Sequence, residues 1–385
     1  MKKFNLNIGA AILFSGLLLQ SCAQQNNPKS EPKIVQPTTK ITFSMGDFLK
    51  DNKELDKETE RIFNSLDDTA KIAQLIMPAI GKYGQTKAAI DQHIKDRVIG
   101  GILMLNGTKE EFTGWIKEFE GNNKTFGNLP FLYSADAEPS LVNRKITGST
   151  QVKKANEIQS LEEVNEVAQT IANDLKAIGI NYNFAPVVDV SNNATVGYRG
   201  FGAVAEHLIP WSDAFIQTTQ KNNIIATAKH FPGHGLVSGD THKSLQMIDG
   251  ELKEIKNYPE LIKNGVMSIM VAHIGVMNNA QFNTDGLPSS CSEKIVSGLL
   301  RDSLKFKGLI VTDAMNMGGV VSVPKCASKA IQAGCDIVLM PVDAKAAHKE
   351  ILDLYKSNKQ FKKKADLAIK RVIRMKIAMG LVKEK

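Results

Sequence analysis

Eight short apolar runs, separated by amphipathic segments, constrain this sequence more than any other feature. They are Gln74–Ile80, Val98–Leu105, Phe131–Asp136, Tyr182–Val190, Ile224–Phe231, Ser268–Ile274, Gly308–Asp313 and Asp336–Met340. Each is continuously apolar rather than alternating, as expected of strands buried on both faces of a parallel sheet. Between them lie stretches with helical spacing, among them Ser160–Ala177, Ser292–Leu304 and Ala344–Lys356, with Ser160 and Glu163 placed as a capping box. Eight strands with intervening helices is the count of a closed (β/α)8 barrel of the TIM type, an α/β fold. An open doubly wound sheet is the alternative, but no Gly-rich phosphate fingerprint follows the first run.

The N-terminus reads as a separate unit. Lys2 and Lys3 precede an apolar run from Ile8 to Leu19, too short for a membrane-spanning helix, which needs roughly 20 residues. The run exits through Leu19-Gln20-Ser21-Cys22, which resembles a bacterial lipobox. Residues 1–21 are therefore expected to be a lipoprotein signal peptide and Cys22 the acylated residue. Residues 22–40 turn to Gln, Asn, Pro, Ser, Lys and Thr, the composition of a flexible tether. Residues 41–385 are expected to form a single catalytic barrel domain, and the protein to be a cell-envelope lipoprotein, periplasm-facing or at the cell surface. Cys291, Cys326 and Cys335 lack close metal-binding spacing and read as small buried apolar residues.

Net charge is +8, but the Lys and Arg residues are scattered, densest at Lys362-Lys363-Lys364. No basic stripe with interleaved aromatics is present, so no nucleic-acid partner is expected. An anionic membrane surface or acidic wall polymer suits the charge as well.

Polar residues cluster where the runs end: Asp136, Asp189, Lys229-His230, His273 and Asp313. In a barrel the C-terminal ends of the strands face the active site. The densest segment is Ala228-Lys-His-Phe-Pro-Gly-His-Gly235, followed by Gly239-Asp-Thr-His242. Its Pro and Gly residues force a tightly turned loop. The three histidines fit neither a helix-borne pair nor a compact Cys/His site, so neither metal nor cofactor is expected. Asp240 and His242 are two apart; on one side of an extended loop the carboxylate can fix the imidazole tautomer and support proton transfer.

On these residues the sequence resembles glycoside hydrolase family 3, in particular its β-N-acetylglucosaminidase branch, from about Ser65 to Leu381. Its anchors are Lys71-Ile-Ala-Gln-Leu75, Val98-Ile-Gly-Gly-Ile102, Ala185-Pro-Val-Val-Asp189 and Arg199-Gly-Phe-Gly202. The Lys229–Gly235 string, Met270-Val-Ala-His273, Gly308-Leu-Ile-Val-Thr-Asp-Ala-Met315 and Arg371-Val-Ile-Arg-Met-Lys376 complete it. The resemblance implies that Asp313 is the nucleophile of a retaining mechanism. Asp136, Arg144, Arg199, Lys229 and His230 correspond to sugar contacts, and His234 is read as shaping the loop. His273 is open between contact and support. In many two-domain members a C-terminal domain supplies the acid/base. With the chain ending just past the last barrel helix, His242 paired with Asp240 is expected to act instead. The family usually has two glycines after Asp-x-Glu, where this chain has Pro139-Ser140, so the loop beside the sugar is expected to be reshaped.

The implied activity is release of terminal β-linked N-acetylglucosamine from peptidoglycan fragments or chito-oligosaccharides through a covalent glycosyl-enzyme. Two alternatives stay open. A neutral histidine repels phosphate less than a carboxylate does, which admits phosphorolysis. The altered Pro139-Ser140 loop admits a catalytically impaired, wall-glycan-binding lipoprotein.

Overall fold

All eight apolar runs contain a parallel strand. The computed structural model describes residues 42–190, 197–202 and 205–382; the expected signal peptide and tether, with Cys22, lie outside them. The strands are β1 (Ile76–Met77 and, past Pro78, Ala79–Ile80), β2 (Gly101–Met104), β3 (Leu132–Ala135) and β4 (Tyr182–Asn183). They continue with β5 (Ile225–Phe231), β6 (Ser268–Val271), β7 (Leu309–Thr312) and β8 (Val338–Leu339). Seven pair in sequence order from β1 to β7. The eighth closes the ring: Ile76 and Met77 pair with Val338 and Leu339, and Val311 bridges Ile337. A (β/α)8 barrel results, as the run count predicts.

Most strands are shorter than their apolar runs. The run from Tyr182 keeps ladder pairing only to Asn183, with one further bridge between Val187 and Lys229. Pro186 inside that run has no N–H to donate to a ladder. In β1, Pro78 interrupts the strand, but its carbonyl still accepts from the Leu103 amide at 2.8 Å.

Helices cover the outside. Helix Leu161–Ile178 starts at Ser160, whose side chain accepts from the Glu163 amide, and ends at Gly179, where φ is 99°. The expected capping box is only half formed. The Glu163 carboxylate accepts from the Gln159 amide at 2.9 Å, one residue before the cap. The run Ser292–Leu304 winds as a π-helix over Lys294–Ser303, closing with Leu304 N–H on the Leu299 carbonyl. Over ten residues, apolar spacing does not separate this wider turn from an ordinary helix. Cys291 and Cys335 are buried, Cys326 is half-buried, and all three are free thiols. Among the described residues no helix is long and apolar enough to cross a membrane.

The end of the barrel away from the strands' C-termini holds two buried charged clusters. The Asp336 carboxylate accepts from Arg301 at 2.5 Å, Arg371 at 3.0 Å and the Ile310 amide at 2.8 Å, tying the last helix to β7. Lys376 is fully buried and donates to Gln74 Oε1 at 2.6 Å and the Gly100 carbonyl at 2.8 Å. Among the described residues no carboxylate shares its site, and burial pushes its amine down from 10.5 to about 7. Between these two values the unfolded chain binds the proton more tightly than the folded one. Folding stability should therefore rise with pH from about 7 to 10.5, by on the order of 1 kcal/mol per unit. Chemical denaturation across that range should show the rise, and Lys376→Met should flatten it. An equal slope in both proteins would contradict the assignment.

Candidate active site

The polar residues at the strand ends divide into two sets. Asp136, Lys229, His230 and Asp313 line a cavity of about 540 Å³ at the C-terminal ends of the strands, together with Arg144, Arg199, Asp240 and His242. Asp189 and His273 are buried behind it. Every catalytic and sugar-contact position expected from the sequence thus borders one cavity.

Asp313 follows directly on β7, and its amide donates to the Val271 carbonyl of β6 at 2.9 Å. The Ala314 amide donates to its Oδ1 at 2.8 Å. Burial opposes its ionisation, but His230, His273, the Ala314 amide and Lys229 outweigh this and hold the carboxyl below its ordinary value. His273 lies beneath the same turn, with Nδ1 on the Ser290 hydroxyl (2.8 Å) and Nε2 on the Ala314 carbonyl (3.1 Å). His273 is thus bonded to the turn after Asp313 and does not border the cavity.

On the loop after β5, His242 Nδ1 lies 2.7 Å from Asp240 Oδ1, which also accepts from the His242 amide at 2.9 Å. Burial raises the Asp240 carboxyl, but these bonds bring it below its ordinary value. An ionised carboxylate only accepts, so Nδ1 carries the hydrogen and Nε2 is left to exchange a proton. The imidazole is 61% exposed.

Another part of the cavity wall is a buried ion network. Lys229 donates to Asp136 Oδ1 at 3.0 Å and lies 2.5 Å from Glu138 Oε1. Arg199 grips Glu138 through Nε at 2.8 Å and a terminal nitrogen at 2.6 Å. Lys145 donates to Asp136 Oδ2 at 2.5 Å. Burial alone would raise both carboxyls. The cations reverse this, holding Asp136 well below the usual range and bringing Glu138 down to about 2. The Arg144 side chain is exposed at the cavity, without a hydrogen-bond or ion-pair partner among the described residues.

Behind the wall, Asp189 accepts from His230 Nδ1 at 2.7 Å and from the His234 amide at 2.8 Å. His234, which also borders the cavity, places Nε2 2.8 Å from the Thr241 hydroxyl. Glu254 accepts from the Val190 and Gly235 amides at 2.5 and 3.0 Å. Burial and the nearby Asp189 charge push its carboxyl up to about 8. Gly235 is needed there because a Cβ would lie 2.3 Å from the Val190 carbonyl oxygen.

Sequence reasoning missed Glu138 and Lys145 as site residues, and Glu254 entirely. Glu138 carries a readable signal, since it stands two residues from Asp136 on the same extended segment; Glu254 carries none. The Pro139-Ser140 departure has a defined structure. The Ser140 hydroxyl donates to the Tyr198 carbonyl at 2.8 Å and accepts from the Ala155 amide at 3.0 Å, stitching the β3 loop to that of β4.

A parallel barrel with this polar cavity at its strand ends has the layout of a (β/α)8 enzyme. The model described as "Glycosyl hydrolase family 3 N terminal domain" matches residues 67–375, and the chain belongs to that family. It is similar to the beta-hexosaminidase of Hydrogenovibrio crunogenus, 32% identical over 204 residues, covering 50% of this chain and 56% of that protein. It is also similar to a Cellulomonas fimi protein named beta-N-acetylglucosaminidase/beta-glucosidase, 26% identical over 303 residues, 74% of this chain and 53% of that one. Among solved structures, a family 3 beta-N-acetylglucosaminidase from Paenibacillus sp. superimposes with a TM-score of 0.75 at 27% identity. That match covers 82% of this chain and 63% of the other. The chain therefore spans little more than half the length of the two curated relatives.

Removing Glu138 leaves Lys229 and Arg199 buried with one carboxylate fewer. Glu138→Ala is expected to cost about 3–5 kcal/mol in denaturant unfolding at neutral pH. A loss under about 1 kcal/mol would show that the network contributes little.

Proposed function

We propose that this protein is a retaining exo-β-N-acetylglucosaminidase that removes terminal β-linked N-acetylglucosamine from peptidoglycan fragments or chito-oligosaccharides. The observation carrying this reading is that one cavity is bordered by a rigid aspartate, Asp313, and a carboxylate–imidazole dyad, Asp240–His242. The names of the similar proteins give the sugar class.

In the proposed first step an Asp313 oxygen attacks the anomeric carbon while the bond from that carbon to the leaving oxygen breaks. His242 Nε2 gives its proton to that oxygen, and Asp313 becomes covalently glycosylated. In the second step Nε2 takes a proton from water. The water oxygen attacks the same carbon, freeing Asp313 and retaining the anomeric configuration. Asp240 stays ionised throughout; it stabilises the imidazolium that donates in the first step and is re-formed in the second, with His242 neutral in the glycosyl-enzyme between them. Asp136, Lys229 and His230 would hold the sugar hydroxyls through charge-assisted hydrogen bonds, with Arg199 and Arg144 at the edge of the same subsite.

Turnover of an aryl β-N-acetylglucosaminide by residues 41–385 tests the reading. Asp313→Ala is expected to lower kcat by at least ~1,000-fold with the sugar still bound. Full activity in that variant would remove the nucleophile assignment. Absence of turnover by the wild type, with glycan binding preserved, would favour a glycan-binding protein. Adding phosphate distinguishes the remaining alternative, since N-acetylglucosamine 1-phosphate in place of the free sugar would mean phosphorolysis.

The lipoprotein reading of residues 1–21 and Cys22 is also a proposal, resting on the charged start, the short apolar run and the lipobox-like exit. Cys22→Ser is expected to move the protein from the membrane to the soluble fraction. Unchanged membrane association would overturn it.

A further inference from the structure

The loop bearing the dyad is bonded to the turn that follows Asp313. The Gly318 amide donates to the His242 carbonyl and the Gly319 amide to the Thr241 carbonyl, both at 2.9 Å. Toward Asp313 the turn is rigid: Ala314 N–H holds the Asp313 carboxylate, Met317 N–H donates to the Ala314 carbonyl at 3.1 Å, and His273 caps the same carbonyl. Met317 and Val320 are buried. From the other side, His234 holds the Thr241 hydroxyl. The His242 side chain itself is largely in solvent, so beyond its bond to Asp240 its position depends on these backbone contacts.

The two glycines are closely fitted. A Cβ on Gly318 would lie 2.2 Å from the Lys243 carbonyl oxygen and 2.9 Å from that of His242. One on Gly319 would lie 2.9 Å from the His273 carbonyl oxygen and 3.2 Å from that of Thr241. These are backbone atoms, so a side chain at Gly318 must push the 241–243 segment away. Neither position has a left-handed φ; the space is what excludes a side chain.

We infer that Gly318 and Gly319 are positioning residues for proton transfer. Their amides, with the Thr241–His234 bond, hold the His242 loop to the turn carrying Asp313 and so fix the imidazole relative to the nucleophile. The inference rests on the proposed role of His242, and it has a consequence that a purely structural role would not have. Displacing the loop should impair protonation of the leaving group while leaving Asp313 and the sugar subsite in place. The loss should therefore depend on the leaving group.

The test compares kcat/KM, which reports steps up to the glycosyl-enzyme, on 2,4-dinitrophenyl β-N-acetylglucosaminide and on chitobiose. The dinitrophenolate leaves without a proton, whereas the sugar alcohol needs one. In Gly318→Ala, kcat/KM on chitobiose is expected to fall by ~100-fold or more, toward the value of His242→Ala. On the dinitrophenyl substrate it should stay within about threefold of wild type. Thr241→Val, which removes the other tether without adding bulk against the turn, should show the same split at smaller size. It also serves should Gly318→Ala not fold. Equal losses on both substrates, or no loss on either, would overturn the positioning role. If His242→Ala itself shows no split, the proposed proton donor fails, and the positioning inference falls with it.

Discussion

Closure of the barrel is the constraint on which the rest depends. Pairing of Ile76 and Met77 with Val338 and Leu339 joins the first strand to the last. Only in a closed ring do residues from β3, β5 and β7 and their loops border one cavity. Buried charge reinforces closure at the opposite end, where Asp336 gathers Arg301 and Arg371 beside the last strand. Leaving any one of these groups without its partners would place an uncompensated charge in the interior.

On that frame the cavity is held in two different ways. One wall is a pre-formed ion network in which Glu138 and Asp136 are kept ionised by Lys229, Arg199 and Lys145. Such a wall needs no reorganisation to meet a polyhydroxylated ring, because its donors are already fixed by one another. The dyad side is built on a loop. There Asp240 sets the tautomer of an exposed His242, and backbone contacts to the turn after Asp313 set its place. The carboxylate and the imidazole thus sit on two segments bonded to each other.

The eight strands were legible because burial on both faces leaves a local signature, continuous apolar residues between turn signals. Asp313 and the Asp240–His242 pair were legible for a similar reason, since each has its informative neighbours within a few residues. The network around Glu138 was not. Its partners Lys229 and Arg199 are distant in sequence and meet it only once β3, β4 and β5 are in register. Asp189 and His273 carry the same strand-end signature as Asp136, and only the fold separates residues that border the cavity from those behind it. Pro139-Ser140 looks like a lost motif in sequence, yet Ser140 joins two loops near the cavity. Strand lengths were overestimated where prolines 78 and 186 break ladders that composition alone would extend.

The central claim is that Asp313 forms a covalent bond to the sugar while His242 moves the proton. Intact-protein mass spectrometry after incubation with a slow 5-fluoro analogue of N-acetylglucosaminyl fluoride tests it most directly. The expected result is one sugar added per chain, mapped to the peptide containing Asp313 and absent from Asp313→Ala. An adduct on another residue, or complete turnover by inversion with no adduct accumulating, would contradict it.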